Sequence, residues 1–245
     1  MDAEIIQAAN RLKEKTIARR RDFHKHAEAA WTEFRTASLV ARTLQELGYE
    51  VLAGAPVTEA TGMMGVPPAA ELARQLERAL GQGADREWAE KLAGGKTGVV
   101  GVLRFARPGP TVALRVDMDA NDLVEADDSK HRPAREGFAS INKGAMHACG
   151  HDGHTALGLG VAEVLAGLKG KLAGTLKLIF QPAEEGVRGA KAMLMAGVVD
   201  DVNYLVGVHL GVTMRKTGQV APKTEGFLAT TKLDATFTGV PAHAG

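Results

Sequence analysis

The sequence is short of several things that usually announce a function. It holds one cysteine, Cys149, in 245 residues, so an internal disulfide framework is excluded. Aromatic side chains make up 4% of the chain, which leaves few platforms for stacking single-stranded nucleic acid. Neither sign of charge predominates: 30 Lys and Arg face 29 Asp and Glu, for a formal net charge of +1. There is therefore no basic field to gather nucleic acid or anionic lipid. No apolar run reaches the roughly 18 residues of a membrane-spanning helix. The opening Met1-Asp2-Ala3-Glu4 lacks the basic start and apolar core of a secretory signal. A reducing, cytoplasmic setting is the expectation.

What is there reads as ordinary globular protein, with 45% hydrophobic and 24% charged residues. The length fits one large domain or two small ones. Glycine is plentiful, at 29 residues, and many glycines sit beside histidines and acids, as in tight functional loops. The sequence ends on Val240-Pro241-Ala242-His243-Ala244-Gly245, directly after a strand-like run. That is an odd place for a domain to stop, and it predicts a piece of a longer protein.

Periodicity organises the chain. The first 47 residues read as helix, with one stripe through Ile5, Ile6, Ala9 and Leu12 and another through Ala37, Val40, Ala41, Leu44 and Leu47. Gly48 then stands where a helix stops, and 49–52 reads as a short strand. Pro67-Pro68 open a helical stretch at 69–80, with more helix at 85–93, as an insertion. Strands are expected at 97–106 and 111–117, close enough for an antiparallel hairpin around Pro108-Gly109-Pro110. A helix follows at 153–168, whose small residues would let it lie close to a sheet. Then come a strand at 175–181, a helix at 187–196, an apolar and buried strand at 204–210, and strand candidates at 218–222 and 228–239. Alternating strands and helices predict an α/β fold with a mixed sheet.

Four polar features fall mostly at strand ends: Asp117-Met118-Asp119; the run from His147 to His154, with Cys149 and His151; Gln181-Pro182-Ala183-Glu184-Glu185-Gly186; and His209. Crevices beyond the carboxyl ends of strands are where α/β sheets bind ligands. Acids, imidazoles and a thiol gathered there are costly to bury without a partner, and a divalent metal accounts for the set. Cys149 and His151, two apart, share a side if that segment is extended. Glu184 and Glu185, adjacent, face opposite ways in an extended loop, so one could bind metal while the other handled the proton of a water. Each has an ordinary alternative when taken singly: an inert buried thiol, a solvated acidic pair, a core histidine, a loop-capping aspartate. His147 and His154 read as supporting or helix-capping groups, and His24 and His26 as solvated positions on the first helix.

These motifs, Arg115-Val-Asp-Met-Asp119, Met146-His-Ala-Cys-Gly-His-Asp-Gly-His154, Phe180-Gln-Pro-Ala-Glu-Glu185 and Gly207-Val-His209, closely resemble the amidohydrolase branch of the aminoacylase/carboxypeptidase metallopeptidases, which includes hippurate and indole-acetyl-amino-acid hydrolases. The resemblance runs from about Arg19 to the last residue. The inserted segment, with Gly81-Gln-Gly-Ala-Asp85 and Gly94-Gly-Lys-Thr-Gly98, and His131-Arg-Pro133 before Gly137-Phe-Ala-Ser140, is similar to the members that act on p-aminobenzoyl-glutamate. The start, Arg20-Arg-Asp-Phe-His-Lys-His26, also fits, and Ala27 replaces the branch's usual proline.

The resemblance implies a phosphorylase/hydrolase-like mixed-sheet catalytic domain with helices on both faces over 1–224, an insertion at about 66–96, and the start of an α+β lid or dimerisation domain at 225–245. It implies two divalent ions, manganese or zinc, on Cys149, His151, Glu185 and His209. Glu184 matches the general base and Asp119 a carboxylate that orients the site. His243 matches a lid histidine that reaches a neighbouring subunit's site to stabilise the oxyanion. The family's further downstream metal-ligand histidine is not in the sequence. The expected substrate is a small N-acyl or N-aroyl amino acid, and the expected partner a like or related subunit joined through the lid. A non-catalytic or truncated subunit that binds metal weakly is the alternative. A structural zinc module fits less well, because such sites close with Cys and His at short spacings.

Overall fold

The computed structural model describes residues 1–211, 214, 216–223, 225, 226, 231, 233, 235, 236 and 238–240. The chain divides into two compact units, Met1–Leu210 and Gly211–Gly245, and the features below belong to the first. In order they are α1 (Asp2–Arg11), α2 (Lys13–Lys25), α3 (Phe34–Glu46), β1 (Glu50–Ala53), α4 (Ala69–Gly81), α5 (Arg86–Lys91), β2 (Val99–Arg104), β3 (Arg107–Asp117), α6 (Arg132–Arg135), α7 (His151–Gly167), β4 (Ala173–Gln181), α8 (Gly189–Met195) and β5 (Tyr204–Gly207). No helix among the described residues is long and apolar enough to cross a membrane.

The five strands form one mixed sheet in the order β1-β2-β4-β3-β5. β3 runs parallel to both β4 and β5, while β2 runs antiparallel to both of its neighbours, β4 and β1. Alternation along β4 serves two layers. Leu176, Leu178 and Phe180 join the core under α2, α3 and α7, with Phe34, Leu44, Val116 and Leu159. Ile179 faces the other side, with Val100, Ala113, Met193 and Val198, where α8 packs. The α/β mixed sheet with helices on both faces is thus the fold expected. α7 does lie close: a Cβ on Gly158 would sit 2.9 Å from the Phe180 ring and 3.0 Å from Val116.

Several expectations change. The 97–106 and 111–117 strands do not make a hairpin, because β4 lies between them and pairs with both. A two-residue hairpin loop needs positive φ, which Phe105-Ala106 do not supply. Instead their amides bond to the carbonyls of Gly174 and Lys169, and the link crosses the start of β4. The initial helical stretch is three helices, broken at Leu12 and at 26–33. β5 is apolar but not buried: it is the sheet edge, with Tyr204 63%, Leu205 58% and Val206 49% exposed. Apolarity alone does not say which strand is central. No strand is formed at 218–222, where Gly218 lies in a turn, and much of 228–239 lies outside the described residues.

Candidate metal centre

The parallel arrangement of β4, β3 and β5 brings their carboxyl ends side by side. Asp117 ends β3, Gln181 ends β4, and His209 follows β5 by two residues. The N-terminus of α7 enters the same crevice with His151 as its first residue. The four polar features of the sequence therefore meet in one place.

His151 is fully buried. Its Nδ1 donates to the Asp119 carbonyl oxygen at 2.8 Å, which leaves Nε2 facing inward without a hydrogen-bond partner. Around it stand Asp117 Oδ1 at 3.6 Å, Glu184 Oε2 at 3.7 Å and Glu185 Oε1 at 3.9 Å. Cys149 Sγ lies 3.5 Å from His209 Nε2. Two sets of side chains thereby offer ligand atoms within 4.8 Å of one another: Cys149, His151 and His209, and His151, Glu184 and Glu185. A third set, Asp117, His151 and His154, meets the same distance. His154, however, is committed on both nitrogens. Nε2 accepts from the Leu210 amide at 2.7 Å, so Nδ1 carries the proton that it donates to Asp117. His154 therefore has no nitrogen left to offer an ion.

The convergence is real, but extended backbone is not its cause. Gly150 sits between Cys149 and His151 at φ 89°, a left-handed turn that suits glycine. Glu184 and Glu185 do not diverge; both turn toward His151. Their loop is a tight coil in which the amides of Arg188 and Gly189 bond to the Ala183 carbonyl. It is pinned from below by Asp119, whose Oδ1 accepts from the Glu184 amide and Oδ2 from the Glu185 amide, each at 2.9 Å.

Electrostatics follow from this crowding. Burial alone would lower the His151 pKa, but the Asp119 hydrogen bond and the charges of Asp117, Asp119 and Glu184 raise it to about 9. Burial, and then the charge of Glu185, push the Cys149 thiol up to about 12. Glu184 is also raised, by burial and then by Asp117. Asp117 is lowered: burial opposes its ionisation, and the His154 hydrogen bond and Arg115, 2.8 Å away, outweigh it.

The surroundings of several other ionisable groups differ from what the sequence suggests. His24, expected in solvent, is buried, with Nδ1 2.8 Å from Asp152 and Nε2 2.8 Å from Glu125. α2 turns this face onto α7, and only the fold could reveal it. His26 is half-buried, with Nδ1 2.8 Å from the Asp22 carbonyl. His147 is buried with neither nitrogen partnered, and burial depresses it to about 4. Glu33 is buried under the Glu184 loop, with partners 64 and 150 residues away. His243 lies outside the described residues.

Comparison with known proteins agrees with the fold and the motifs. Residues 113–243 match peptidase family M20/M25/M40, and the chain belongs to that family. It is 54% identical, over 239 residues, to one subunit of the p-aminobenzoyl-glutamate hydrolase of Escherichia coli (strain K12), covering 98% of this chain and 55% of that protein. Among solved structures it resembles the aminobenzoyl-glutamate utilization protein from Klebsiella pneumoniae, with TM-score 0.73 and 48% identity, over 85% of this chain and 46% of that one. It also resembles Bacillus subtilis YXEP, described as a dinuclear metal binding peptidase, with TM-score 0.61 and 30% identity, over 83% of this chain and 45% of that one. The chain spans about half the length of the relatives it matches.

Proposed function

We propose that the chain carries the catalytic centre of a metal-dependent amidohydrolase that cleaves N-acyl and N-aroyl amino acids. The substrate to test first is p-aminobenzoyl-glutamate, giving p-aminobenzoate and glutamate. The observation that carries this reading is the buried, unpartnered His151 Nε2, faced by two adjacent carboxylates and flanked by a thiol–imidazole pair. Glu185 Oε1 is likewise buried without a partner. Orphaned polar atoms of this kind are expensive unless something binds them, and thiolate, imidazole and carboxylate suit a divalent transition metal.

Cys149, His151, Glu185 and His209 would hold two such ions, manganese or zinc. When bound, the ions would polarise the amide carbonyl and acidify water. The remaining chemistry belongs to the chain. Glu184, its pKa raised by burial, is suited to accept a proton from the attacking water and return it to the departing amine. Asp119 holds the Glu184–Glu185 backbone and the His151 ring in one geometry. His243, from a second subunit, is assigned to the developing oxyanion.

In the same reading, 1–224 is catalytic domain and 225–245 begins a lid through which a homodimer or heterodimer forms. A cytoplasmic location suits a site that needs its single thiol reduced.

The test is the full-length protein assayed for p-aminobenzoyl-glutamate hydrolysis, with metal content by elemental analysis. Glu184→Gln should keep its metal and lose most turnover. Full activity in that variant would remove Glu184 from the mechanism, and a metal-free, inactive parent would reject the proposal.

A further inference from the structure

Three consecutive backbone amides hold the Glu184 loop in place, and they use two different carboxylates. Asp119 takes the amides of Glu184 and Glu185. The first of the three, Ala183, donates instead to Glu33 Oε1 at 2.8 Å. Glu33 stands at the start of α3, far from the catalytic motifs in sequence, and is wholly buried. Its other oxygen accepts from Thr97 Oγ1 at 2.6 Å, just ahead of β2. Glu33 therefore spans the space between the α3 and β2 entrances and the underside of the loop.

The backbone at Ala183 makes this contact consequential. Its φ is +49°, in the left-handed region where a residue with a Cβ stays only when its surroundings impose it. Ala183 is completely buried, and its carbonyl closes the loop by accepting the Arg188 and Gly189 amides. Its amide has the Glu33 carboxyl as partner. If that bond is lost, the residue preceding Glu184 can relax toward negative φ. The directions of the next two side chains would change with it.

We propose that Glu33 is a positioning residue: it fixes the strained turn at Ala183 and thereby aims Glu184 and Glu185 at His151. It touches neither substrate nor reacting atoms. What matters is an acceptor oxygen at the right reach, not the charge of the carboxyl. The activity arm of the test rests on the function proposed above; the backbone arm does not.

The experiment compares Glu33→Gln, Glu33→Asp and Glu33→Ala in the full-length protein. Glu33→Gln keeps an acceptor at the same reach and removes the charge. Glu33→Asp keeps the charge and withdraws the oxygen by about 1.5 Å, beyond hydrogen-bond distance. Three readouts are taken: hydrogen exchange in the peptide covering 183–189, Mn2+ affinity, and kcat and KM for p-aminobenzoyl-glutamate. Glu33→Gln is expected within about threefold of the parent on all three. Glu33→Asp and Glu33→Ala are expected to exchange faster at 183–189 and to bind Mn2+ about tenfold more weakly. They should also lose about thirtyfold in kcat with KM changed less than about threefold.

Parent-like Glu33→Asp, or Glu33→Gln as impaired as Glu33→Ala, overturns the proposal. If Glu33→Ala fails to fold, the Gln–Asp pair still decides. If the parent proves to hydrolyse nothing and bind no metal, the proposed function falls, and the order of exchange rates still accepts or rejects Glu33.

Discussion

His24 and Asp152 lie 128 residues apart in the chain and meet at 2.8 Å in a buried contact at the head of α7. Asp152 also receives Arg20 at 2.7 Å and, through Oδ1, the Gly153 amide. The residue next to His151 is thus clamped by α2. Burial disfavours a charged His24, but the hydrogen bonds and charges of Asp152 and Glu125 raise its pKa above the usual 6.5. Both carboxylates are correspondingly lowered against the pull of burial.

The sign of the pH dependence follows. The raised His24 contributes stability in full below pH 6.5 and loses it as pH climbs through its folded value; the lowered carboxylates lose theirs on acidification below about pH 4.5. Urea midpoints measured across pH should fall on both sides of that window. His24→Asn should flatten the alkaline limb while leaving the acid limb largely in place.

Metal binding should be strongly linked to protons. In the metal-free protein Cys149, at about 12, and His151, at about 9, both hold protons at neutral pH. Both must give them up to act as ligands. Affinity should therefore rise by about a hundredfold per pH unit below pH 9, with about two protons released per site. Calorimetry in buffers of different ionisation enthalpy counts them directly. Release of a single proton would remove one of the two residues from the ligand set, and release of none would remove both.

Asp119 holds two amides and the site geometry at once. Asp119→Ala should weaken metal binding by about 10- to 100-fold and reduce kcat by a similar factor. Asp119→Asn, which keeps one acceptor oxygen, should fall between that variant and the parent. Chelator competition and steady-state kinetics check the two effects separately.

Arg78, from α4, reaches the fully buried Glu28, whose other contacts include the amides of Arg35 and Thr36. Arg78→Ala would strand that carboxylate, at a cost of about 3 kcal/mol. Denaturant unfolding measures it. Glu28→Gln in the Arg78→Ala background should recover part of the loss.

Much of this was legible in the sequence, for reasons that particular residues make plain. The stripe of α3, the alternation of β3 and the four polar motifs are local patterns, and each appears where the pattern put it. Pairing was not legible. Val99–Arg104 and Thr111–Asp117 look like hairpin partners only because they are adjacent in sequence, and the strand that separates them arrives some sixty residues later. The residues of the candidate metal centre stood out by type and order, yet the reason they converge, a left-handed turn at Gly150, is backbone geometry that the spacing does not encode. Nothing local signalled the burial of His24 or Glu33. A histidine in the last turn of a helix, or a glutamate at a helix start, looks solvated until distant segments fold over it.

β5 has one further consequence. Its outer edge leaves backbone donors and acceptors without a neighbouring strand among the described residues, and Tyr204, Leu205 and Val206 are exposed along it. Such an edge is a template for self-association. Because β5 also carries the chain into His209, residues 1–210 prepared alone should aggregate by the very element that leads into the candidate metal centre. Colloidal behaviour and metal occupancy would then fail together.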